Sequence, residues 1–155
     1  MSDSSRAPLV LSEVGFGAAT LGQVFGPVSV AQAQEAVDTA LRLGVTYFDT
    51  SVYYGLGQSE RTLGQVLVQG RAGAGWVLSS KTGRFGCNAF DFGAERVAQA
   101  VRHSLAQHLG MGCGEGQRPL DVCFCHDVEF AEELDQIVEV WLQGGDTHTH
   151  THTHT

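Results

Sequence analysis

Lysine is nearly missing from this chain: Lys81 stands alone beside eight arginines. A protein so poor in lysine is not using it as generic surface charge. Lysine's compact ammonium shifts its pKa readily on burial, which suits it to proton chemistry. A lysine at a strand end ordinarily keeps its charge in solvent, so the neighbours of Lys81 have to decide its role. Basic residues are scarce as a class, 9 against 17 acidic, giving a formal net charge of −8. That balance argues against nucleic acid or an anionic membrane as a partner and leaves room for a local phosphate pocket. No apolar run reaches the ~18 residues that span a bilayer. The opening Met1–Pro8 is polar and lacks an apolar h-region, so no secretory signal is expected and the expected location is cytoplasmic. The cysteines are few: Cys87, Cys113, Cys123 and Cys125. Cys123-x-Cys125-His126 lacks the spacing of two to four residues found in zinc knuckles. The alternation in Val122–Cys125 reads instead as a strand with small buried thiols, and no metal is expected. A Gly-x-Gly-x-x-Gly fingerprint is also absent.

What is present is enough apolar residue, 43%, for a real core. Val14–Ala19 begins as a short strand whose small residues Gly17, Ala18 and Ala19 allow a ligand or another backbone to come close. Ser29 is placed to cap a helix over Val30–Leu43 with apolar positions Val30, Ala33, Ala36, Val37, Ala40 and Leu41, and Gly44 to end it. Val45–Asp49 is a β-branched and aromatic strand, followed by a helix from Ser59 to Gly70. Trp76–Ser80 is the third strand. Ala94–Leu109 is a helix with Val97, Ala100, Val101, Ser104 and Leu105 on one face. Leu120–Cys125 is the fourth strand, and Glu132–Leu142 is helical. Four strand–helix repeats mean parallel βα units, an α/β chain. Such sheets carry their sites at the C-terminal strand ends, where Asp49, Lys81 and His126 fall here.

From Phe48 the chain reads Phe48-Asp49-Thr50-Ser51-Val52-Tyr53-Tyr54-Gly55-Leu56-Gly57-Gln58-Ser59-Glu60. This resembles the aldo-keto reductases, whose second strand ends in Asp-Thr-Ala/Ser-x-x-Tyr-Gly with a Glu a few residues on. The likeness continues through Leu63-Gly64, Ser80-Lys81 and His126-Asp127, and covers about Leu11–Val140. Val24–Val28 and the Tyr53-Tyr54-Gly55 form look most like the plant-type L-galactose dehydrogenase branch of that family, which implies oxidation of L-galactose to L-galactono-1,4-lactone, on the way to ascorbate, with NAD or NADP. The resemblance implies that Tyr54 is the general acid/base, that Lys81 and Asp49 tune it, and that His126 orients the carbonyl. Tyr53, Tyr54 and His126 would line the substrate; Gly17, Ala18, Ala19 and Asp49 would meet the cofactor.

The chemistry is coherent on its own terms. A phenol ordinarily titrates near ~10, a neighbouring ammonium favours its phenolate, and a carboxylate keeps a buried ammonium charged. A histidine donor steadies charge developing on an oxygen, and hydride transfer belongs to a nicotinamide. Plainer roles stay open for each residue: Asp49 in a turn with Thr50, Tyr53 and Cys125 in packing, His126 as a buried histidine, Glu95 complementing a helix dipole, and Arg84 solvated.

The implied architecture is the first four units of a TIM-type (β/α)8 barrel over residues 9–143, a half-barrel, followed by a low-complexity Gly and Thr-His tail over 144–155 that resembles a translated dinucleotide repeat. Gly110–Arg118 reads as a surface excursion. In the family most cofactor contacts follow strands five to eight. The chain is therefore expected to be a truncated form that is active only when two halves assemble, with self-association through its open half-barrel. The expected ligand is a small carbonyl or sugar. The alternatives are a non-enzymatic binding module on the same fold and a fragment without function.

Overall fold

The computed structural model describes residues 8–69, 75–111, 120–135 and 137–138. Its centre is a parallel sheet in the order β1 (Gly15–Gly17), β2 (Tyr47–Asp49), β3 (Val77–Thr82) and β6 (Val122–Cys125). The register pairs Gly17 with Asp49, Asp49 with Ser79, and Lys81 with Phe124. Three helices connect these strands: α1 (Val30–Arg42), α2 (Gln58–Leu63) and α3 (Ala94–His103). Both α2 and α3 run on as π-helical turns, over Gly64–Gln69 and Ser104–His108.

α1 starts where the sequence places it. Ser29 accepts from the Gln32 amide while the Gln32 side chain accepts from the Ser29 amide, a capping box. Gly44 adopts φ 82° just past the end of the helix, a conformation that costs glycine nothing. Ala33, Val37 and Ala40 are buried and Leu41 packs against them, whereas Val30 and Ala36 of the expected face are exposed. The face is narrower than the apolar pattern because only one side of α1 meets the core cluster.

Side chains alternate across a strand, and here the alternation separates core from site. Phe48, Leu78 and Cys123 join the buried cluster with Leu63, Val66 and Leu67 from α2 and its extension. Their neighbours Tyr47, Asp49, Ser79 and Lys81 lie on the opposite face. Phe48 is fully buried, its ring 5.5 Å from that of Phe16. Phe48→Ala is expected to cost about 3–5 kcal/mol, read as a lower urea midpoint with the m-value retained.

Two expectations change. Ala18 and Ala19 are not strand: the chain turns into a 3-10 helix over Ala18–Gly22, with Ala18 in the core. A short antiparallel hairpin, β4 (Arg84–Gly86) and β5 (Ala89–Phe90), follows β3. At two and three residues its strands are too short to give a readable alternation. The helix expected at Glu132–Leu142 is helical at 134, 135, 137 and 138 where described. Cys113, most of the glycine-rich connection and the Thr-His tail lie outside the described residues. Among the described residues no helix is long and apolar enough to cross a membrane.

Candidate active site

Asp49 ends β2 and Lys81 lies near the end of β3, on the face turned away from the helices. Lys81 Nζ donates to Asp49 Oδ2 at 2.6 Å and to the Thr50 carbonyl at 2.9 Å. Both side chains are largely shielded, 15% and 27% exposed, so the ammonium has exchanged water for a carboxylate and a carbonyl. Ser79, their neighbour on this face, donates to Asp49 Oδ1 at 2.6 Å. Its oxygen lies 2.9 Å from the Tyr47 hydroxyl. A carboxylate only accepts and a hydroxyl has one proton, so the chain of donors runs Tyr47 to Ser79 to Asp49. These two supports escaped sequence reading. The visible signal was a pair of serines interrupting an otherwise apolar, doubly covered strand, where a buried polar group must find a partner.

Tyr54 lies on the loop between β2 and α2. That loop is clamped at its tip: Gly55, at φ 62°, packs so closely on Gly22 that a Cβ there would collide with the Gly22 carbonyl. Only glycine satisfies both the left-handed conformation and the close approach. The clamp brings Lys81 Nζ to 4.7 Å from the centroid of the Tyr54 ring and His126 edge-on to it, centroids 5.7 Å apart. Lys81 sits at the ring face and does not bond the hydroxyl. Among the described residues, nothing hydrogen-bonds the Tyr54 hydroxyl.

His126 follows β6, its amide bonded to the Thr82 carbonyl at 2.8 Å. Its Nδ1 is 3.0 Å from Ser51 Oγ, and its ring also meets the edge of Tyr53 at 5.8 Å. Burial holds its pKa below the ordinary value; Asp127 and Asp49 oppose that shift, while Lys81 and Arg84 reinforce it. The unfolded chain therefore binds a proton at this residue before the folded one does as pH falls. Between the ordinary histidine pKa and the lowered one, stability falls with falling pH, and it is fully present above the ordinary value. An NMR titration should place the His126 midpoint below ~6.5, with unfolding free energy declining across that window.

Tyr53 is held apart from Tyr54 by a different partner. Arg84 lies with its guanidinium 4.0 Å over the Tyr53 ring, donates to the Tyr53 hydroxyl at 3.0 Å, and pairs with Asp127. A solvated Arg84 is thus overturned. The hairpin after β3 folds the arginine back over the strand ends, and its bond to Asp127 keeps its pKa raised. Glu95 sits exposed in the first turn of α3, away from these groups.

Of the residues considered for cofactor contact, Gly17 is exposed, and a Cβ on it would meet nothing within 4 Å. Ala19 is half-buried. Ala18 is wholly buried in the core, and its carbonyl accepts from Ser59 at 2.6 Å. Cys123 faces the core, its thiol pushed up to about 12 by burial, which makes it unreactive.

A second polar cluster lies behind the strand, on its helix-facing side. Glu60 of α2 is 0% exposed, accepts from Ser80 Oγ at 2.5 Å, and lies 2.8 Å from His108 Nδ1. Its place in the family-like motif was visible in the sequence; its partners, 20 and 48 residues away, were not.

Comparison with known proteins points to one family. The profile of the aldo/keto reductase family matches residues 13–143. L-galactose dehydrogenase of Arabidopsis thaliana is 43% identical over 131 residues, 84% of this chain and 38% of its own length. D-threo-aldose 1-dehydrogenase of a Pseudomonas species is 37% identical over 81 residues, 52% of this chain and 24% of its own length. Among solved structures, an aldo-keto reductase of Bacillus halodurans in its holo form superposes with a TM-score of 0.67 at 25% identity, over 89% of this chain and 43% of the other. A putative aldo-keto reductase of Pseudomonas aeruginosa gives a TM-score of 0.70 at 26% identity, over 89% and 51%. The chain spans about half or less of these relatives, and its four βα units correspond to part of their TIM-type barrel. Matched in sequence over most of its length and in fold over nearly all of it, this chain belongs to the aldo/keto reductase family.

Proposed function

We propose that the chain supplies the acid/base half of an NAD(P)-dependent oxidoreductase that oxidises an aldose at C1, with L-galactose going to L-galactono-1,4-lactone as the preferred reading. One observation carries it: a shielded Lys81–Asp49 pair lies at the face of a tyrosine whose hydroxyl bonds nothing among the described residues, with a histidine at the edge of the same ring. A phenol kept in packing alone would have no need of a lysine held there by two acceptors, the Asp49 carboxylate and the Thr50 carbonyl. The similarity to L-galactose dehydrogenase supports the choice of sugar.

In this scheme Tyr54 takes the proton of the C1 hydroxyl on oxidation and returns it on reduction. Lys81 keeps positive charge beside that phenol, and Asp49 keeps Lys81 charged and in place. His126 donates to the sugar oxygen while its bond order changes. Arg84 stacked on Tyr53 forms a wall beside the substrate. The nicotinamide supplies the hydride acceptor when bound. Gly17, in register with Asp49 and open above its backbone, fits a flat ring passing close by; Ala19 and Asp49 would flank it.

The purified chain should be assayed with NAD and NADP against L-galactose and D-galactose, alone and mixed with the portion of the plant relative that it does not span. Reduction of the nicotinamide, faster with L-galactose, is the expected result. Equal inertness toward both sugars in both samples would refute it.

A further inference from the structure

A neutral histidine donates from Nε2 only when Nδ1 carries no proton, and a buried serine decides this here. Ser51 is 0% exposed. Its Oγ lies 3.0 Å from His126 Nδ1 and accepts the Tyr53 amide at 3.1 Å. A hydroxyl has one proton and two lone pairs. The Tyr53 amide takes one lone pair, and no other acceptor for this hydroxyl exists among the described residues, so the proton turns to Nδ1. In the opposite arrangement Nδ1–H would donate into Ser51, which would then accept twice and keep a buried proton without a partner. That desolvated donor costs more than the bond gains.

We propose that Ser51 is a positioning residue: the chain from Tyr53 N–H to Ser51 Oγ–H to His126 Nδ1 fixes the neutral imidazole with its proton on Nε2, ready to donate to the substrate oxygen. This deepens the acid/base scheme above and rests on it for its catalytic meaning, though not for the tautomer itself.

The charged groups around the ring are Asp127, Asp49, Lys81 and Arg84, with the phenol rings of Tyr53 and Tyr54 packed T-shaped against it. Asp127 is the one able to undo the arrangement, since a carboxylate bonded to Nε2 would capture its proton. Its Oδ1 stands 3.7 Å from Nε2, beyond hydrogen-bond reach, and its other oxygen is engaged by Arg84. The ion pair thus compensates the carboxylate and leaves the Nε2 proton for a ligand.

The test is long-range proton–nitrogen NMR on the full chain with labelled histidine, the His126 signals being assigned by their loss in His126→Asn. Above its titration, His126 should show an unprotonated Nδ1 and a protonated Nε2. Ser51→Ala should release the proton to both nitrogens and raise the titration midpoint, because the hydroxyl's bond favours the neutral ring. Ser51→Thr should restore the signature. Alanine is admitted at this place in the family pattern, so the alanine variant is expected to fold. Its kcat should fall roughly tenfold, with KM changed less. A wild-type ring protonated on Nδ1, or nitrogen shifts unmoved by Ser51→Ala, overturns the assignment. Absence of sugar oxidation with the tautomer intact would instead count against the proposed reaction alone.

Discussion

Tyr54→Phe is expected to lower kcat by about 10²–10⁴-fold, the range for removing a general acid/base, while leaving folding stability nearly unchanged. The substitution deletes one oxygen. The ring stays, and with it the contacts to Lys81 at 4.7 Å and His126 at 5.7 Å. Because nothing among the described residues bonds the lost hydroxyl, no buried partner is stranded, so the denaturation midpoint should hold while turnover collapses. Tyr53→Phe is the control. It removes the acceptor of the 3.0 Å Arg84 bond but no group assigned to proton transfer, so it should cost far less in kcat. Equal losses in the two variants would mean that the tyrosine before the glycine has no special role.

His108→Ala is expected to cost about 3–5 kcal/mol of stability, as much as Phe48→Ala, because it strips a fully buried carboxyl group of one of its two hydrogen-bond partners. Glu60 has no access to solvent, and His108 is only 10% exposed. Without the imidazole, the carboxylate keeps a single bond from Ser80 at 2.5 Å. Urea unfolding measures the loss. The double replacement Glu60→Met with His108→Leu should be less damaging than His108→Ala, since it removes the charge together with its partner. The pair has a mechanical consequence as well. It ties α2 and the end of α3 to Ser80, the residue before Lys81, so a weakened tie should also loosen the lysine.

The parts of this molecule that were legible in the sequence are those encoded locally. Ser29 and Gly44 frame α1 by capping chemistry that needs only neighbours. Apolar runs mark β2, β3 and β6, and polar residues at or near their ends, Asp49, Lys81 and His126, fall together because parallel strands share one C-terminal edge. What the sequence concealed depends on partners far away along the chain. Arg84 looked solvated because Asp127 lies 43 residues on and the hairpin that swings it inward is too short to show periodicity. Ala18 gave no sign that it joins the core with its carbonyl bonded to Ser59, 41 residues on. Ser51 gave no sign of its link to His126, 75 residues distant.

Hydride transfer from C1 to the nicotinamide, with Tyr54 taking the hydroxyl proton, is tested by following the hydrogen itself. L-Galactose carrying deuterium at C1 is supplied with NAD or NADP to the chain, alone and mixed with the portion of the plant relative that it does not span, and the recovered cofactor is weighed by mass spectrometry. One deuterium is expected in the reduced nicotinamide, and its loss in Tyr54→Phe. A reduced cofactor without deuterium, deuterium transfer that survives Tyr54→Phe undiminished, or no transfer in either sample would contradict that expectation.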